Sequence, residues 1–62
     1  MRYTYSGLAV SLRDRKFDKR VQSHLNAYAE AGWRLVSTGQ RDEEDTVEFS
    51  FFWEADNAGR AG

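Results

Sequence analysis

Residues 46–54 read Thr-Val-Glu-Phe-Ser-Phe-Phe-Trp-Glu, the densest apolar run in the chain. Val47, Phe49, Phe51 and Trp53 alternate with Glu48, Ser50, Phe52 and Glu54, and a period of two separates an apolar from a mostly polar face only when the backbone is extended. A strand with three aromatic rings and a valine on one side needs a roof over that side and a neighbour along each edge. The run therefore predicts the central strand of a small sheet, and the rest of the sequence must supply its neighbours and its cover.

The cover is found upstream. Phe17, Val21, Leu25 and Tyr28 recur at helical spacing, and at 100° per residue they fall with His24 and Ala31 in an arc of roughly 120°. That stripe predicts one amphipathic helix. Gly32, directly after Ala29-Glu30-Ala31, is placed to adopt the left-handed conformation that ends a helix. Asp14 is a candidate cap at the other end, and Asp18 puts a negative charge beside the exposed amides of the first turn. Residues 13–16, all charged, read as a surface connection.

Two further strands flank this helix in sequence. Residues 2–10 alternate, with β-formers at Tyr3 and Tyr5 and again at Leu8 and Val10, but the two halves are out of phase. A bulge at Ser6-Gly7 would bring all four onto one face, and glycine supplies the unusual φ that some bulges need. Residues 33–37 form the second strand, with Trp33 and Leu35 on one face. Residues 38–45, polar and carrying Gly39, read as a loop.

The expected fold is thus an α+β domain of strand-helix-strand-strand order. Its three-stranded antiparallel sheet has order 1-3-2, and the one helix packs on one face. The helix is expected over Tyr3, Tyr5, Trp33, Leu35, Phe49 and Trp53. The opposite face then holds Thr4, Ser6, Arg34, Thr38, Glu48, Ser50 and Glu54, with Val36 and Phe52 as apolar islands. Residues 1–55 form the domain, and residues 56–62 read as a flexible tail without apolar pattern.

The segment Leu25-Asn26-Ala27-Tyr28-Ala29-Glu30-Ala31-Gly32-Trp33-Arg34-Leu35-Val36-Ser37 resembles the signature of a family of short proteins known as domain of unknown function 4177. Members look like a tyrosine-containing first strand, a helix carrying Leu-Asn, a Gly-Trp-Glu-Leu-Val-Ser junction and a final strand. Here Arg34 stands where the family usually has glutamate, and Ala29 where glycine is common. The resemblance implies the fold and supplies no activity. In element and sheet order the chain is also similar to dodecin, a small flavin-storing protein that assembles into a hollow shell. Trp33 occupies a place comparable to dodecin's flavin-stacking tryptophan, while the surrounding residues differ.

A chain of 62 residues supports one thin core, because a domain this size removes only roughly 60% of its unfolded surface from water. The absence of cysteine excludes a disulfide framework, a thiolate nucleophile and a cysteine zinc site. A single histidine cannot build a histidine-rich metal cluster. Nine aromatic residues have to do the work of a staple, and self-association is the other non-covalent source of burial. The formal net charge of −1 disfavours a general polyanion binder. Residues 1–34 nevertheless carry seven Lys/Arg against three Asp/Glu, a charge of +4, and residues 35–62 carry two against seven, −5. Such polarity favours contact between copies. With no signal-like or membrane-spanning apolar run, the expected location is cytoplasmic and no membrane partner is expected.

Several residues could carry chemistry. Trp33 and Trp53 suit stacking on a planar ligand, although both fall in phase with the covered face and read first as core. His24, at the edge of the helical stripe, reads as a boundary residue with one satisfied nitrogen, and no serine or carboxylate stands at a triad spacing from it. Asp42-Glu43-Glu44-Asp45 lacks the ligand alternation and internal glycine of a calcium loop and reads as a solvated hairpin tip. Arg13, Arg15, Lys16, Lys19 and Arg20 form a basic cluster interrupted by Asp14 and Asp18, a weak basis for nucleic-acid binding. Arg34, Val36 and Phe52 on the uncovered face, with His24 and Trp33, are the candidate interface or ligand residues. The expected function is a non-catalytic, self-associating interaction or accessory domain without cofactor or metal. A small-ligand binder with a site between copies is the alternative, taking an aromatic or nucleotide-like molecule, and a weak nucleic-acid binder follows behind it.

Overall fold

The structure, a computed structural model, describes residues 1–56. Its elements are β1 (Arg2–Ser11), α1 (Phe17–Glu30), β2 (Arg34–Glu43) and β3 (Thr46–Ala55). The sheet has the order β1-β3-β2, with both pairs antiparallel. This is the α+β arrangement that the aromatic run calls for, with that run in the middle. Of the expected flexible tail, residues 56–62, all but Asp56 lie outside the described residues.

The roof is held by rings paired almost one for one. Phe17 meets Phe49 edge-on at 5.9 Å between ring centroids, His24 lies 5.2 Å from Phe51, and Tyr28 stacks on Trp53 at 4.9 Å and 12°. Eleven helical residues advance about 16 Å and four strand residues about 14 Å. Helix and strand therefore keep pace while running in the same direction. Trp53 is 2% exposed and joins Val10, Val47, Phe51 and Ala55 in the core. Burying an indole of about 150–250 Å² contributes on the order of 4–6 kcal/mol as an upper bound. No residue of α1 is fully buried; Phe17, Val21, His24, Leu25 and Tyr28 are half-buried. Ala31 stands just past the helix and is exposed.

The helix ends as its sequence requires. Gly32 has φ +98°, the Gly32 amide donates to the carbonyl of Ala29 at 3.0 Å, and the Trp33 amide donates to the carbonyl of Tyr28 at 3.1 Å. These two bonds are the Schellman closure of a helix around a left-handed residue. At the start, Lys16 occupies the cap position without a side-chain bond to the helix. Asp14 acts from two residues further out: its carboxylate accepts the Lys16 amide at 2.8 Å and the Arg20 guanidinium.

Three expectations are corrected by the strand pairing. β1 runs unbroken beside β3 from Arg2 opposite Ala55 to Ser11 opposite Thr46, so there is no bulge at Ser6-Gly7. Leu8 lies opposite Phe49 and Val10 opposite Val47 on the roofed side, and unbroken alternation carries Ser6 and Thr4 inward with them. Tyr3 and Tyr5 are thereby turned to the open face, the reverse of the expected placement. The continuous ladder wins because a bulge would leave a residue of β1 unpaired.

The bulge is instead in β2, where Leu35 opposes Trp53 and Ser37 opposes Phe52, leaving Val36 as the extra residue. Leu35, on the roofed side, remains exposed beyond the reach of the helix. The segment expected as a loop, residues 38–45, is mostly strand: β2 continues to Glu43, and Glu44 (φ 37°) with Asp45 makes a two-residue turn. Its polar composition reflects an edge strand wetted on both sides rather than a loop. Thr38, opposite Phe51, accordingly belongs to the roofed side.

Candidate interaction surface

The face of the sheet away from α1 collects several exposed apolar and aromatic side chains. Tyr5 and Phe52 are cross-strand partners with ring centroids 5.3 Å apart. Tyr3 lies two residues along the same strand, and the bulged Val36 lies across β3. Tyr3, Tyr5, Phe52 and Val36 are 70%, 56%, 47% and 55% exposed. Small residues form the next row beyond them: Gly7 opposes Ser50, which in turn opposes Gly39. A Cβ built on Gly7 would lie 3.5 Å from the Tyr5 hydroxyl, so that ring reaches along its own strand over the glycine. Tyr5, Gly7, Ala9, Glu48 and Ser50 line a shallow hollow of about 290 Å³.

Each arginine of this face lies against two carboxylates. Arg41 bonds Glu48 across the strands at 2.8 Å and reaches Glu43 at 3.1 Å. Arg34 lies 3.4 Å from Glu54 and 3.6 Å from Asp56. Of the five candidate residues, Arg34, Val36 and Phe52 are exposed along this part of β2 and β3. Trp33 and His24 are not. Trp33 is half-buried at the other side of the strand end, with the Arg2 guanidinium 5.4 Å from its ring centroid, and His24 is beneath the helix.

His24 takes part in an arrangement that spacing along the chain did not reveal. Its Nε2 is 2.9 Å from the Ser6 hydroxyl, and the Trp53 indole N–H donates to the same oxygen at 2.9 Å. An oxygen that accepts the indole proton still has its own hydrogen to give, so every group is used when Ser6 donates to the Nε2 lone pair. A serine bonded to a histidine has the reach of a nucleophile and base. Ser6, however, is 6% exposed and held by the indole, and among the described residues no carboxylate orients His24. The three side chains form a hydrogen-bonded bridge that allows polar groups into an aromatic core. The sequence signal for it was Ser6 itself, a polar residue in phase with Leu8 and Val10.

The acidic hairpin tip is largely partnered: Glu43 with Arg41, Asp45 with Arg13 at 3.7 Å, and Asp42 accepting from Gln40 at 3.3 Å. Among the described residues no three His, Asp or Glu side chains converge as metal ligands, and no helix is long and apolar enough to cross a membrane. Asp14 has its carboxyl held below the ordinary value of 3.8, first by the hydrogen bond from the Lys16 amide and then by that from Arg20. No protein-family model matches the chain, and no curated protein or solved structure matches it.

Proposed function

We propose that the protein is a non-catalytic association module that pairs with further copies of itself through the open face of the sheet. The observation that carries this reading is the combination on that face of exposed rings (Tyr3, Tyr5 and Phe52) with arginines that already have carboxylate partners within the chain (Arg41 with Glu48, Arg34 with Glu54). Burial there covers aromatic surface without leaving either arginine unpartnered, which lowers the cost of desolvation. Three strands of ten residues present a plan area of roughly 480 Å² per copy at about 4.8 Å between strands and 3.4 Å per residue. Two such faces approach the ~1,000 Å² that a specific interface needs.

Sedimentation or light scattering at micromolar concentration tests this. A dimer or larger species is expected for the parent chain and a monomer of unchanged circular dichroism for Phe52→Glu. A parent chain that stays monomeric refutes the reading.

A second reading draws on the hollow lined by Tyr5, Gly7, Ala9, Glu48 and Ser50. Closed by a facing copy, it would hold a small planar ligand between aromatic walls. Native mass spectrometry of untreated protein separates the two, since a ligand-bearing assembly is heavier than a whole number of chains.

A further inference from the structure

The two free edges of the sheet are treated very differently. β2 is guarded: it carries Arg34, Arg41, Asp42 and Glu43 and is broken by the bulge at Val36. Charges and bulges are the usual devices by which edge strands avoid pairing with another chain. β1 has neither. It pairs regularly over all ten residues, its sole charge is Arg2 at one end, and residues 3–11 carry none. A long, regular, uncharged edge presents a row of unpaired amides and carbonyls suited to receiving a further strand.

What flanks this edge differs above and below. On the helix side a cleft of about 340 Å³ runs between β1 and the beginning of α1, lined by Leu8, Lys16, Lys19, Arg20 and Ser23. No residue of β2 or β3 lines it, so it opens on the flank where β1 has no neighbour. Arg20 is engaged by Asp14, whereas among the described residues no ion pair engages Lys16 or Lys19. On the opposite side the same edge is bordered by the exposed rings of Tyr3 and Tyr5.

We infer that the β1 edge is a docking site for an extended acidic segment of a partner protein, which adds to the sheet as a fourth strand. Side chains of such a strand alternate between the two faces. Acidic residues then fall beside Lys16 and Lys19, with the Ser23 hydroxyl as a further donor, and apolar residues fall beside Tyr3 and Tyr5. A second copy is a poor occupant: pairing β1 with its own equivalent brings two sets of Lys16 and Lys19 to the same side of the junction, a like-charge contact. The site shares the Tyr3 and Tyr5 rings with the open face, but the strand edge and the lysine cleft that define it do not rest on the self-association reading.

The probe is a capped ten-residue peptide of alternating valine and glutamate, with a valine-lysine peptide as its counterpart, titrated into the full chain at low and high salt. The glutamate peptide is expected to bind at least about tenfold more tightly, to weaken as salt screens the lysines, and to slow hydrogen exchange at alternate amides of β1. The double reversal Lys16→Glu with Lys19→Glu, at two exposed positions, is expected to invert the preference with circular dichroism unchanged. Failure of the glutamate peptide to bind at millimolar concentration overturns the proposal. So does an unaltered preference in the double variant, or protection at β2 in place of β1. Displacement of the peptide by a nucleic-acid duplex at equal charge concentration would assign the cleft to phosphates and overturn it too.

Discussion

Replacing Ser6 with alanine removes one buried oxygen and strands two groups at once. The Trp53 indole N–H, on a side chain 2% exposed, loses its acceptor at 2.9 Å, and His24 Nε2 loses its partner at the same distance. His24 is half-buried and can turn to water, so the indole dominates the cost. A buried donor left unpaired costs about 1–3 kcal/mol, and little cavity is added because a single atom is deleted. A chain of 62 residues has a total stability of roughly 3–9 kcal/mol, so this one hydroxyl decides a large share of it. For a domain this small each kcal/mol moves Tm by about 4–8 °C, giving an expected fall of about 5–20 °C for Ser6→Ala. Urea unfolding of the parent, Ser6→Ala, Trp53→Phe and the double variant completes a thermodynamic cycle. Phenylalanine has no N–H to strand, so the serine should matter less in that background by about 1 kcal/mol or more. If the two losses simply add within about 0.5 kcal/mol, the bridge is not what admits Ser6 to the core.

The glycines give opposite expectations. Gly7→Ala places a Cβ at ordinary contact distance from the Tyr5 hydroxyl and the Phe49 carbonyl with no left-handed backbone, so it should be neutral or stabilise by up to about 1 kcal/mol. A clear loss in urea unfolding would reinstate the glycine-dependent bulge at Ser6-Gly7. Gly32→Ala meets open space but must hold φ +98°, and should cost about 1–2 kcal/mol by the same measurement. Asp14, with its folded pKa lowered, binds its proton more readily in the unfolded chain. Its contribution is therefore fully present above the ordinary value of 3.8 and is lost as pH falls through the lowered one. Asp14→Asn should be less stable than the parent at neutral pH, and the gap should close in acid; a gap independent of pH down to full protonation would refute the assignment.

Much of this architecture was legible in the residues. The central strand followed from the alternation of Val47, Phe49, Phe51 and Trp53, the helix from its stripe, the helix end from Gly32, and the strand order from the density of the aromatic run. The phase of β1 was not. Tyrosines at 3 and 5 are better candidates for burial than Thr4 and Ser6 by side chain alone, and the choice was made by register against β3 and by partners remote in sequence, Trp53 and His24. For the same reason a glycine in an out-of-phase strand suggested a bulge that the structure has at Val36. β2 was shortened in the sequence reading because an edge strand wetted on both sides has no apolar alternation. Tyr3 and Tyr5, whose side chains read as interior, are instead exposed on the open face, with Tyr5 opposite Phe52.

The ring pairs between α1 and β3 set the helix like a vernier. The strand offers its rings at equal steps of two residues (Phe49, Phe51 and Trp53), and the helix answers at unequal steps of seven and four (Phe17, His24 and Tyr28). Sliding the helix by one turn in either direction brings at most one of its rings back opposite a ring of the strand and leaves aliphatic or charged residues at the other positions. There is thus one seat for the helix and no neighbouring seat of similar energy. A single placement of α1 lets a domain without a disulfide keep a defined flank beside β1.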